Sequence, residues 1–125
     1  MSKHKPKEIK WFPGVEEHDY PAAESYLQLL YSEDKVAVMI SKFRSATIVQ
    51  FKAKDIFRAT QLSLLGISNL HVEKDRKKIE KNICISPLLL LRDEHNGKVV
   101  IADGYHRLCA IYEFDEDAWI RCKIV

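Results

Sequence analysis

The sequence predicts a single domain of the α+β class, a helical first half packed on a small mixed sheet, and three observations carry that expectation. Apolar residues recur at helical spacing between Ala23 and Phe43. Two mostly apolar runs of strand length, Pro87–Leu91 and Lys98–Ala102, flank Asn96-Gly97, the strongest short-range hairpin signal. The second run leads through Asp103-Gly104-Tyr105-His106-Arg107 into a further helical pattern. With 125 residues, 46% of them apolar and 30% charged, the chain can bury one core and is too apolar for wholesale disorder.

Residues 1–10 hold Lys3, Lys5, Lys7 and Lys10 against Glu8, a surplus larger than the whole-chain net charge of +2, so the remainder is slightly acidic. They are expected to form a flexible basic tail ahead of the domain at 11–125. Trp11, Phe12 and Pro13 then pack the domain's start against its body. Asp19 or Tyr20 is expected at the cap of a first helix, with Pro21 in its first turn, and Ala23, Tyr26, Leu27 and Leu30 carry it to about Tyr31. Ser32 caps a second, with Glu33 and Asp34 at its positive end and Val36, Met39, Ile40 and Phe43 along one stripe.

Thr47–Phe51 alternates and is β-branched, which predicts a short strand. A third helix is expected from Lys54 to Leu65, burying Ile56, Phe57, Ala59 and Leu62 and stopped by Gly66. These elements make up a helical part, 15–65, ahead of a motif-bearing part, 66–125. A fourth helix, Leu70 to Asn82, has only Val72 and Ile79 to bury, seven residues apart, and so should lie on the surface of the sheet. The hairpin, a helix carrying Leu108, Ile111 and Tyr112, and a final strand from Trp119 to Val125 complete the pattern.

The function classes narrow by exclusion. The longest apolar run, Pro87–Leu91, is far shorter than the roughly 20 residues a membrane span needs. The N-terminus lacks the apolar core of a signal peptide, so a cytoplasmic protein is expected. Cys84, Cys109 and Cys122 are odd in number and nowhere spaced as CxxC, which argues against a disulfide framework or a structural zinc site and for reduced core thiols.

The chemistry concentrates at Asp103 to Arg107. A strand ends, Gly104 permits a tight turn, and a helix starts whose first amide hydrogens lack intrahelical partners and attract anions. His106 and Arg107, both complementary to phosphate, lie in that first turn. The residues alone leave alternatives open: Asp103 as a helix cap, Arg107 paired with Glu113 or Asp117, and His106 as a structural histidine.

Taken together, helix 71–82, the hairpin, the Asp-Gly-Tyr-His-Arg turn, its helix and the last strand resemble the ParB/sulfiredoxin-like superfamily over roughly residues 66–125, about half of the chain. In that superfamily the turn binds nucleotide phosphates. Sulfiredoxins carry Gly-Cys-His-Arg there, ParB partition proteins Gly-Glu-Arg-Arg, and free-serine kinases Asp-Gly-His-His-Arg, the form nearest to this one. The resemblance implies that Gly104, Tyr105, His106 and Arg107 meet the phosphates, joined by His71, Lys74 and Lys78 from the preceding helix. It implies Asp103, His106 and Arg107 as catalytic residues, and ATP, ADP or CTP with Mg²⁺ as ligand. Asp103 would either serve Mg²⁺ through water or hold His106 and Arg107 in place.

Departures from the family matter. Tyr105 stands where sulfiredoxin chemistry needs a cysteine, which disfavours sulfinic acid reduction. ParB's second arginine is missing, and no helix-turn-helix pattern is present. The expected function is nucleotide phosphate binding, with small-molecule phosphotransfer or nucleotide hydrolysis as the implied chemistry, a small molecule or protein as acceptor, and Asp103, Asp55 or Glu73 as base. The alternative is a non-catalytic module whose basic tail and helix 71–82 contact nucleic acid or a protein partner, with no membrane involved. The helical half is expected to expose Tyr20, Tyr26 and Tyr31 as a dimer surface or a lid over the cleft.

Overall fold

The structure is a computed structural model, and it describes residues 8–63 and 69–125. Among these residues the elements follow in the order α1 (Asp19–Leu27), α2 (Glu33–Ser45), β1 (Val49–Lys52), α3 (Ala53–Thr60), α4 (Leu70–Glu80), β2 (Leu88–Asp93), β3 (Lys98–Asp103), α5 (Tyr105–Phe114) and β4 (Trp119–Ile124). The four strands form one mixed sheet in the order β1-β4-β2-β3, so the fold is α+β. β1 pairs antiparallel with β4, β2 antiparallel with β3, and β2 parallel with β4.

The four consecutive leucines explain the layering. Side chains alternate along a strand, and in central β2 both faces are covered. Leu88 and Leu90 enter a core with Ala53 and Ile56 of α3, Val72 and Ile79 of α4, and Leu108 and Ile111 of α5. Leu89 and Leu91 enter a second core with Tyr20, Ala23 and Leu27 of α1 and Val36, Ile40 and Phe43 of α2. The sheet therefore lies between two helical layers, and a strand so placed reads as a continuous apolar run. Each such leucine contributes about 1.5–3 kcal/mol through burial. Val72 and Ile79 are the buried residues of α4.

Lys123 of β4 is buried beneath the α1–α2 layer. Its Nζ donates to the Tyr20 hydroxyl at 3.0 Å and to the backbone carbonyls of Phe43 and Arg44 at 3.0 and 3.2 Å, closing the C-terminal end of α2. Cys109 and Cys122 are buried and form no disulfide, and burial pushes the Cys122 thiol up to about 12. No helix among the described residues is long and apolar enough to cross a membrane.

Several element ends differ from expectation. α1 stops at Leu27 rather than near Tyr31, because Tyr26 and Leu30 are 45% and 48% exposed and no core remains for the helix to cover. α3 stops at Thr60, where Gln61 takes a left-handed φ of 60° and the Thr60 hydroxyl donates to the Phe57 carbonyl. The expected stop at Gly66 lies outside the described residues, as do residues 1–7 of the basic tail. Beyond those seven, Lys10 to Phe12 pair with Ile85: the Ile85 amide donates to Lys10 and the Phe12 amide to Ile85, each at 2.9 Å. α4 begins as the pattern predicts, its cap supplied by the Asn69 side chain, which accepts from the amides of His71 and Val72.

Candidate functional site

The site lies at the carboxyl end of β3, where the two helical layers come together. Gly104 caps α5 with φ +109°, and no side chain caps that helix start. A Cβ placed on Gly104 would stand 2.6 Å from Leu88 Cγ and 2.8 Å from Arg107 Nη2. Only glycine fits that space and that backbone angle, and its bareness lets the Arg107 guanidinium lie across the turn.

Arg107 is held by two carboxylates. Its Nη2 donates to Asp103 at 2.9 Å and its Nη1 to Asp19 at 3.2 Å, while its Nε is buried without a partner among the described residues. Glu113 and Asp117, the partners weighed from sequence, are not the ones used; Asp117 pairs with Lys54 at 2.6 Å. Asp19 is almost fully buried and also lies 3.3 Å from His18 Nε2.

This burial sets the proton chemistry. Burial pushes the Asp103 carboxyl up from 3.8 to about 6, with the neighbouring Asp19 adding to the shift and Arg107 opposing it. His106 is pulled below the usual histidine range by burial first, then by His71 and Arg107, against the pull of Asp75. Asp75 is itself raised by burial, opposed by Lys78, Arg107, His106 and His71. The His71 and His106 rings stand 4.9 Å apart between centroids, tilted by 44°.

Two cavities meet here. A polar cleft of about 180 Å³ is lined by Glu16, His18, Asp75, Lys78, Cys84, Ser86 and Arg107. An apolar trough of about 470 Å³ runs along β3 and is walled by Ala22, Tyr26, Leu30, Leu62 and Tyr105. Both include Asp103, Gly104 and His106. The Ser86 hydroxyl accepts from the Glu16 amide at 2.9 Å and so fixes one wall of the cleft.

Of the residues singled out from sequence, Asp103, Gly104, His106, Arg107 and Lys78 line the cleft, and His71 stacks near His106. Tyr105 turns to the trough, its hydroxyl donating to the Ser63 carbonyl. Lys74 is exposed and absent from the lining, and Asp75, one position on, takes its place. Asp55 lines a separate apolar hollow beneath α3, and Glu73 lies 3.8 Å from Arg76 on the surface of α4, so neither candidate base reaches the cleft. Sequence reasoning missed Asp19, Asp75, Glu16 and Ser86. Asp75 had a signal: it stands one turn after His71 and one turn before Lys78. Asp19 had none beyond its suitability for a helix start.

Among the described residues no group of three or more His, Cys, Asp or Glu side chains is placed to hold a metal ion. No family model matches the chain, and neither the curated proteins nor the solved structures yield a match.

Proposed function

We propose that the cleft binds the phosphates of a nucleotide such as ATP, ADP or CTP, carried with Mg²⁺, while the trough takes the less polar body of the ligand. The observation that carries this reading is the junction itself: a polar cleft and an apolar trough meet at Asp103, Gly104 and His106. A nucleotide is divided in the same way. Lys78, His71, His106 and the first amides of α5 complement phosphate oxygens, and Arg107 retains donors beyond its two carboxylate bonds. Glu16, Asp75 and Asp103 place negative charge beside them, which favours a metal-neutralised polyphosphate over a bare one. The resemblance of residues 66–125 to ParB/sulfiredoxin-like proteins supports the same ligand class.

Within this reading Asp103 is the group suited to proton transfer in a phosphotransferase or hydrolase, since its carboxyl titrates closer to neutrality than an ordinary aspartate. Calorimetric titration of ATP, ADP and CTP with Mg²⁺ is the test, wild type beside Lys78→Ala and His106→Asn. Each variant should weaken binding by about tenfold, equivalent to ~1.4 kcal/mol. Absence of heat with every nucleotide overturns the reading.

One observation favours a nucleic-acid module as the second reading: Lys74 and Lys77 of α4 and Lys81 at its end are exposed outside the cleft. Oligonucleotide binding that falls steeply with salt and survives Lys78→Ala would replace the nucleotide reading with this one.

A further inference from the structure

We propose that Asp19 is a positioning residue of the cleft, holding the Arg107 guanidinium over Gly104 from the opposite helical layer. The proposal rests on the reading of the cleft as a phosphate site and deepens it. Asp19 opens α1, which packs on the face of the sheet opposite α5, and its side chain is only 5% exposed. A carboxylate so buried keeps its charge only with charged or hydrogen-bonding partners. Its polar neighbours are Arg107 Nη1 at 3.2 Å, His18 Nε2 at 3.3 Å and the Asp103 carboxyl, with which it shares a side-chain hydrogen bond.

The arrangement fixes a plane rather than a point. Held by Asp103 alone, the guanidinium would be free to swing about Nη2; the second contact, at Nη1, stops that rotation. Gly104 leaves the space in which the group lies, with Nη2 2.8 Å and Nε 3.2 Å from where a Cβ would stand. A guanidinium ordered in advance loses little freedom when a phosphate arrives. Arg107 meets part of the charge of Asp19, so the carboxylate repels an arriving phosphate less than an unpaired one would. Helix capping does not account for the residue: α1 has His18 at its cap position and makes no side-chain cap bond.

The test is Asp19→Asn, which keeps the size of the side chain and removes its charge. Two ligands are titrated, ATP with Mg²⁺ and inorganic tripolyphosphate, and exchange of the Arg107 Nε–H with water is followed by nitrogen-15 NMR without ligand. In a variant with wild-type circular dichroism, both affinities should fall by at least about fivefold and the exchange should quicken by about tenfold. Unchanged or tighter binding would overturn the proposal, making Asp19 a competitor of the ligand. If Asp19→Asn does not fold, Asp19→Glu keeps the charge and displaces it by a methylene: lost affinity with faster exchange supports positioning, and wild-type values for both overturn it. Should the wild type bind neither ligand, the phosphate reading fails, while the exchange rate still decides whether Asp19 orders Arg107.

Discussion

Two cations, Lys123 and Arg107, meet adjacent residues at the start of α1, Tyr20 and Asp19, and they are solvated by the protein in different ways. Lys123 gives its Nζ hydrogens to a phenol and two backbone carbonyls, all neutral, and is 8% exposed. Arg107 faces two carboxylates, has a buried Nε without a partner among the described residues, and borders an open cleft. The lysine closes a helix end. The arginine raises a question of charge balance, because two acids share one guanidinium and one of them, Asp103, is driven toward neutrality. Surplus donors and shifted acids beside a cavity mark a site for chemistry, whereas a fully satisfied ion marks a structural joint.

The comparison can be broken by removing each cation. Arg107→Ala strands the buried Asp19 charge and should cost about 3–5 kcal/mol in urea denaturation. Lys123→Met leaves only neutral acceptors unpaired and should cost less, about 2–3 kcal/mol, without altering ligand affinity. Equal losses would erase the distinction. Gly104→Ala comes next: its methyl meets Leu88 at 2.6 Å under a φ of +109°, and about 2 kcal/mol of stability should go, together with the position of Arg107.

A pH series sharpens the contrast further. The folded protein binds a proton at Asp103 more tightly than the unfolded chain does, so this group's contribution to stability falls as pH rises from 3.8 to about 6 and is flat above. Relative to wild type, Asp103→Asn should therefore gain stability across that window, measured by denaturation midpoints. A constant difference would show that Asp103 is not held up. The smallest effect belongs to Lys74→Ala, which should change nucleotide affinity by less than about twofold because the side chain stands outside the cleft.

What the sequence revealed follows from the range of the forces involved. Asn96-Gly97 specified the hairpin because a turn is decided locally: Gly97 takes a φ of 62° and Asp93 accepts from the Asn96 amide groups. The Gly104 turn was legible for the same reason, and so was α4, which buries two residues. Helix ends were less legible. Tyr26 and Leu30 continue the apolar period of α1, but whether a core exists to receive them depends on where the sheet stops. The second partner of Arg107 was beyond reach, since 88 residues separate it from Asp19 and only the packing of two layers on one sheet joins them, whereas Asp103 stands one turn away. Lys74 and Asp75 are both compatible with the face that carries His71 and Lys78, and the rotation of α4 decides between them.

The place of β4 carries a consequence for assembly. It lies between β1 and β2, pairing Val49–Lys52 on one edge and Leu88–Leu90 on the other, although it follows both in the chain. β1 therefore waits for a strand some seventy positions downstream, a long loop to close before any pairing rewards it. The β2–β3 hairpin and its helix can form early from near neighbours. The cleft needs α1 against β3 and Arg107 against Asp19, contacts that span 88 positions, so a chain in which only the hairpin and its helix have formed would carry the Asp-Gly-Tyr-His-Arg turn without the cavity beside it.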